Sequence, residues 1–280
     1  MIIIKRKEYQ RYLVEFLAEC FATCIMILIG EGAIANYKFT QQPEQSTLPI
    51  AIAFGVGKRN IDFNIIGAHL NPALSISLLT IGQIKLLQCL FYIIGQIMGG
   101  FLRALLVYLI YLKQFDAYDG GQREMIGSTG TADIFFTMPS DGIPNWSAFI
   151  DQIIGTAILM IFIMSVGNKF NQMMSKVIQP FAFALIVTGI ICAFSINAGA
   201  AINPARDLGP RLFGAIIYGW NNVFTVHDYF FWVPIVGPIL GATIGVWIYQ
   251  GFNFIVKQYG HLFDIDVSTV EIEQIHSCKF

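Results

Sequence analysis

Asn71-Pro72-Ala73 and Asn203-Pro204-Ala205 stand 132 positions apart in a chain of 280 residues. Asn is a favoured helix cap and Pro is welcome in a first helical turn, so each phrase reads as a helix start. The helices so begun are short, Ala73 to Thr80 and Ala205 to Tyr218. Their chemistry is that of a side-chain amide donor beside the positive end of a helix dipole. The approaches, Gly67-Ala68-His69-Leu70 and Gly199-Ala200-Ala201-Ile202, are glycine-led and read as non-helical, which leaves carbonyls of Gly67, Ala68, His69, Gly199 and Ala201 free to act as acceptors. Arg206, Asp207 and Arg211 follow the second phrase, and no such charges follow the first. One short stretch thus combines donors, acceptors and a fixed cation.

The elements that must position these groups are unusually apolar. Of all residues 55% are hydrophobic and 12% charged, against roughly a quarter charged in ordinary soluble domains. The apolar residues gather into runs: Tyr12 to Ala35, Leu86 to Leu112, Phe149 to Gly167, Val177 to Asn197 and Tyr229 to Val256. Each run is near or above the ~20 residues that a helix needs to cross hydrocarbon. A sixth, Leu48 to Gly57, is shorter. These runs predict a multi-pass, all-α membrane protein rather than a soluble one. Lys5, Arg6, Lys7 and Arg11 precede the first run, and Lys85, Lys169 and Lys176 lie in short loops. Residues 113–146 form a long loop carrying Asp116, Asp119, Glu124, Asp133 and Asp141. Because Lys and Arg collect on the cytoplasmic side, both termini are expected there and the acidic loop outside. Residues 1–10 and 257–280 are then cytoplasmic flanks, the latter expected to be disordered. Glu15 and Glu19 inside the first run mark it as a retained helix, not a cleaved signal.

The two halves, about 11–112 and 147–256, repeat one another. Phe16 to Thr23 aligns with Phe149 to Thr156 at an offset of 133, and Pro49 to Phe54 resembles Pro180 to Leu185. With three spans per half, the second copy starts from the opposite side, which is an inverted repeat. The two short helices then meet by their N-termini at the bilayer centre. Irregular backbone at that depth is tolerated only where protein buries it or it lines a water-filled space. The arrangement is a narrow pore with carbonyls along one wall and the amides of Asn71 and Asn203 in the middle. The competing reading is a pair of capped surface turns. Glu19 and Gln152 are repeat mates, and each is expected to hold the irregular loop of its own half; an unrelated buried contact is the alternative.

Other chemistry has little to stand on. Cys20, Cys24, Cys89, Cys192 and Cys278 form neither a disulfide framework nor a metal spacing. No two of the four histidines sit at ligand spacing, and no nucleophile elbow, phosphate loop or zinc motif occurs. No enzyme activity, metal or cofactor is expected. A net charge of −1 without a basic stripe argues against nucleic acid as a partner. Asn145-Trp146-Ser147 is a glycosylation pattern in the outer loop, but its nearness to the fourth membrane helix argues against attachment.

Two Asn-Pro-Ala boxes in an inverted repeat of six helices resemble the aquaporin family over about residues 11–256. Asp207, Arg211 and the pair Pro234-Ile235 are similar to the glycerol-conducting, aquaglyceroporin branch, as are residues 127–135 and 231–241. The resemblance implies an hourglass pore carrying glycerol, water and other small neutral solutes across a membrane, the plasma membrane in most members, usually as a homotetramer. It makes Arg206 the fixed cation of an outer filter; an Arg and the positive ends of half-helix dipoles are the devices by which aquaporin-type pores exclude protons and cations. Phe54, Ile191 and Ala200 fall at the other filter corners. Ile191 is bulkier than the glycine common there. Cys192 adjoins it, and a lumen-facing thiol would make water flux sensitive to mercurials.

Two regions depart from the family. Phe54 and Asn71 are 17 positions apart, about three fewer than the resemblance leads one to expect, with Lys58, Arg59, Asn60 and Asp62 between them. Arg103 lies inside the third run, where it could snorkel, pair with an acid or mark a second site. Besides a glycerol channel, the sequence therefore leaves open a water-selective channel narrowed by Ile191. It also leaves open a non-conducting membrane scaffold or adhesion protein with a damaged second helix.

Overall fold

A backbone buried in hydrocarbon must satisfy its own hydrogen bonds, and a chain this apolar does so as helices. The computed structural model describes residues 2–40, 47–59, 69–167 and 178–259. They form α1 (Ile2–Thr40), α2 (Leu48–Arg59), α3 (Pro72–Thr80), α4 (Leu86–Asp119), α5 (Asn145–Gly167), α6 (Gln179–Phe194), α7 (Pro204–Tyr218), α8 (Trp220–Tyr229) and α9 (Val233–Tyr259). Among the described residues four helices, α1, α4, α5 and α9 (the last together with α8), are long and apolar enough to cross a membrane, while α2 and α6 are shorter, and α3 and α7 are the half-helices that begin at the two Asn-Pro-Ala boxes. Each of Lys7–Thr40, Leu86–Asp119, Asn145–Val166 and Trp220–Tyr259 contains an 18-residue window of mean hydropathy between 1.8 and 2.1, while Leu48–Gly57 and Gln179–Phe194 are shorter apolar helices.

Glycines set how closely the long helices cross. A Cβ placed on Gly95 or Gly99 of α4 would stand 2.6 Å from the Phe16 carbonyl or 2.4 Å from that of Cys20 on α1. On α9, a Cβ at Gly241 or Gly245 would stand 2.3 Å from the Ile153 carbonyl or 2.6 Å from that of Ala157 on α5. Small residues four apart let membrane helices touch backbone to backbone. Ile153 is the repeat mate of Cys20, so the α1–α4 and α5–α9 crossings are the same joint built twice. The sequence comparison missed this match because the chain from Asn203 to Gly237 is ten residues longer than that from Asn71 to Gly95. The longer α7 and the added α8 account for the difference.

Several boundaries differ from the sequence expectation: α1 runs from Ile2 to Thr40, beyond the apolar run Tyr12 to Ala35 and into the expected flank 1–10, and α6 is shorter than the run Val177 to Asn197. Helix α4 continues past Leu112 to Asp119. Phe115 is fully buried there and stacks on Phe135 at 5.6 Å, so the polar turn is carried by an inward aromatic. Gly120, at φ 64°, ends the helix in the left-handed region that glycine tolerates. Within α8, Val226, His227 and Asp228 leave helical geometry. Asn145 Nδ2 donates to the carbonyls of His227 and Asp228, both at 3.1 Å. The nitrogen that would carry a glycan is thus already engaged. Asn60, Asp62, Lys169, Lys176 and the tail from 260 onward lie outside the described residues.

Candidate functional site

The half-helices are capped as their sequences require. Asn71 Oδ1 accepts from Ala73 N, and Asn203 Oδ1 accepts from Ala205 N, both at 2.9 Å. With the oxygens turned to the caps, the amide nitrogens point across the molecule. Asn71 Nδ2 donates to the Ile202 carbonyl at 2.9 Å, and Asn203 Nδ2 donates to the Leu70 carbonyl at 2.7 Å. Each box is therefore tied to the loop of the other.

Those two carbonyls are aimed by strained backbone. Leu70 has φ 56° and Ile202 has φ 41°, a region that bulky or β-branched residues avoid. Such residues persist only where their surroundings over-determine them. Here both sides of each residue are held. Glu19 of α1 accepts from His69 N at 2.6 Å and from Leu70 N at 2.7 Å. Gln152 of α5 accepts from Ile202 N at 3.0 Å and donates to the Gly199 carbonyl at 3.0 Å. Leu70 and Ile202 are thus fixed by a polar side chain behind and an Asn amide in front. Neither inverted loop could keep this shape alone.

Both boxes open on one cavity of about 50 Å³. Asn71, Asn203, Phe54, Ile191, Ala200 and Arg206 all line it, together with His69 and Ala201. Its apolar wall includes Met26 and Leu159, which are repeat mates on α1 and α5. Arg206 has its guanidinium carbon 5.5 Å from the centre of the Phe54 ring. Phe54 has room because residue 30 is glycine: a Cβ there would stand 2.4 Å from the ring. Arg206 Nη1 donates to the Phe135 carbonyl at 3.4 Å and lies 3.8 Å from Glu31 Oε1. Chemically the chamber offers two amide donors, a guanidinium, backbone acceptors and an aromatic wall. That set suits neutral, polar, hydrogen-bonding solutes.

The remaining sequence candidates stand apart from the cavity. Asp207 is buried and salt-bridged to Arg211 at 2.7 Å, and its other oxygen accepts from Thr137 N at 2.8 Å and from Thr137 Oγ1 at 2.5 Å. Arg211 donates to the carbonyls of Thr137 and Val223 and lies 4.3 Å from the Phe136 ring centre. The pair pins the 135–137 segment over α7, and that segment presents the Phe135 carbonyl to Arg206. Pro234 and Ile235 lie in the first turn of α9, away from the cavity wall. The Gly199 carbonyl is a correction: Gln152 and Ala201 N occupy it, and Gly199 is not among the lining residues. Cys192 is exposed and is not among the residues that line the cavity; it stands about 100° around the helix from Ile191, which is. Gly67 and Ala68 lie outside the described residues. Glu31, which the sequence reading passed over, is fully buried, and its only clue was an acid in the middle of an apolar run.

The same pattern of boxes, loops and helices occurs in known proteins. The family model for major intrinsic proteins matches residues 6–249. The chain belongs to the major intrinsic protein family. It is 35% identical over 242 residues to Aquaporin-9 of Mus musculus, covering 85% of this chain and 82% of that protein. It is 32% identical over 240 residues to Aquaglyceroporin-2 of Rhizophagus irregularis, covering 85% and 76%. The X-ray structure of the aquaglyceroporin from Plasmodium falciparum superposes with a TM-score of 0.76 at 28% identity, covering 85% of this chain and 96% of that one. The chain has the aquaporin fold, and as a major intrinsic protein it is an integral membrane channel, not an enzyme.

Proposed function

We propose that this channel conducts glycerol and water passively, with other small neutral solutes as further candidates, and excludes ions and protons. The observation that carries the reading is the chamber in which Asn71, Asn203 and Arg206 face Phe54, Ile191 and Ala200. Each Asn Nδ2 has two hydrogens; one bridges to the opposite loop, and the other is left to donate to a passing hydroxyl or water. Glycerol has a carbon face and a hydroxyl face. The carbons slide along Phe54 and the hydroxyls meet Arg206 and the carbonyls of His69 and Ala201. Arg206 and the paired positive helix ends repel cations and protons. Asp207, Arg211, Pro234 and Ile235 act at a distance, by fixing the outer segment and α9 around the filter. Glu19 and Gln152 hold the two loops. The aquaglyceroporin names of relatives support the glycerol branch over a water-selective pore or a non-conducting scaffold.

We assign the channel body to residues 11–256, as repeats 11–112 and 147–256 joined by an outer loop at 113–146. Six spans would return the chain to its starting side, and the basic N-terminal segment supports a cytoplasmic assignment for that side. Plasma-membrane placement and a homotetramer follow the family resemblance. The test is osmotic: proteoliposomes shrunk in glycerol should re-swell as glycerol enters, whereas those shrunk in sucrose should not. Ala200→Phe should cut glycerol flux by about tenfold, the lower end of what one misfit group costs in a tight pocket, with a smaller effect on water. Ile191→Gly should widen the range of solutes. Rapid water flux without re-swelling in glycerol would assign the chain to the water-selective class.

A further inference from the structure

Behind the constriction lies a second guanidinium. Arg103, midway along α4, is fully buried, and its Nη1 contacts Glu31 Oε2 of α1, which is also fully buried. Arg103 Nη2 donates to the Arg206 carbonyl at 3.1 Å and to the Phe135 carbonyl at 3.4 Å. Its Nε donates to the Gly100 carbonyl at 3.3 Å, and Nη1 reaches the Ile27 carbonyl at 3.5 Å. Arg206 Nη1 donates to that same Phe135 carbonyl at 3.4 Å and lies 3.8 Å from Glu31 Oε1. One carboxylate therefore faces two guanidiniums, and among the described residues its oxygens have no neutral hydrogen-bond donor. Neither Glu31 nor Arg103 lines the cavity.

The repeat shows that this pair is not demanded by the fold. Met164 occupies the place of Glu31 on α5, and Gly245 occupies the place of Arg103 on α9. The α5–α9 crossing forms with those residues, glycine against the Ala157 carbonyl, and carries no charge there. An ion pair buried this deeply is at best a weak source of stability compared with apolar packing. What distinguishes the two crossings is the neighbour: only the first half's pair abuts Arg206.

We propose that Glu31 and Arg103 set the charge and the position of Arg206. Arg103 engages Glu31, so that the carboxylate does not cancel Arg206. Glu31 in turn offsets Arg103, so that the constriction presents one net positive charge instead of two. Arg103 also holds the Arg206 and Phe135 carbonyls, and so the wall against which the Arg206 head rests. Both are positioning residues, and the inference rests on the reading of Arg206 as the filter cation. Remove Arg103 alone, and the buried carboxylate has Arg206 as its nearest cation. At that separation in a low dielectric the two are strongly coupled. The Arg206 head is drawn from the lumen toward α1 and its charge is neutralised.

Proteoliposomes that report glycerol re-swelling and sodium or proton leak in parallel test this. Arg206→Val should leak; if it stays tight, the filter reading itself fails. With that control leaking, Arg103→Met should raise the cation leak roughly tenfold or more, the low end of the range by which lining charges alter local ion concentration, while glycerol still passes. Glu31→Gln should stay as tight as the wild type. Adding Glu31→Gln to Arg103→Met should bring the leak back down, because Arg206 regains its charge. Arg103→Gln keeps a polar amide in the buried site without the charge and is the second route should Arg103→Met fail to insert; it should leak likewise. A purely structural role predicts the opposite pattern, with both single variants impaired in glycerol flux and no rescue in the double. That pattern, or an Arg103 variant that conducts glycerol and stays tight, overturns the proposal.

Discussion

Glu19→Gln removes one charge and one acceptor from a side chain that serves three donors. Glu19 accepts from His69 N at 2.6 Å, from Leu70 N at 2.7 Å and from Gln96 Nε2 at 2.8 Å. Glutamine has one oxygen and an NH2 group, so at most one of the two loop amides keeps its acceptor, and the other faces a second donor. A hydrogen bond to a charged group contributes about 1.5–3 kcal/mol, and a buried donor left unmatched puts the loss at the upper end, about 3 kcal/mol. For a chain of this size that corresponds to a fall in melting temperature of roughly 6–10 °C. The functional effect is predicted to exceed the thermal one, because the Leu70 carbonyl holds Asn203 Nδ2 at 2.7 Å. With Leu70 loosened, Asn203 loses its fixed partner, and glycerol and water fluxes should both fall. Gln152→Glu is the mirror experiment. It keeps the acceptor for Ile202 N, abandons the Gly199 carbonyl and adds a buried charge. Melting of the detergent-solubilised protein and osmotic flux in proteoliposomes read both quantities. A Glu19→Gln protein that melts within 1 °C of the wild type, with unchanged flux, would refute the assignment of Glu19 as the support of the first loop.

Gly241→Val places its Cβ 2.3 Å from the Ile153 carbonyl, and Gly99→Val places its own 2.4 Å from that of Cys20. Both should destabilise by about 1–3 kcal/mol or more through overpacking, whereas Gly251→Ala, with nothing within 4 Å of the added carbon, should lie within about 0.5 kcal/mol of the wild type in a thermal melt. A mercurial should modify the exposed Cys192 without slowing water flux; inhibition that Cys192→Ser abolishes would put the thiol in the lumen.

The sequence by itself determined the membrane class, the duplication and the two half-helices. Those signals lie in the chain itself: long apolar runs and an Asn-Pro pair depend only on near neighbours, and a repeat at constant offset shows when the sequence is compared with itself. It also marked Glu19 and Gln152, since matched polar residues in matched apolar runs stand out in a self-comparison. Tertiary structure alone decided what crosses from one element to another. The Asn amides bridge to carbonyls 131 and 133 positions away, a contact no local pattern encodes. Leu70 and Ile202 take left-handed backbone against their own preference, because a side chain behind and an amide in front outweigh it. The glycine joint was hidden by a ten-residue difference in chain length between the halves, although its two copies share one geometry. Cys192 is exposed and off the cavity wall that Ile191 lines, because a helix rotates about 100° per residue and only packing sets the phase of that rotation. Arg103 had three possible fates in one dimension. It took the one with Glu31 and Arg206 because a charge without water must find its opposite, and only the folded molecule brings that opposite within reach.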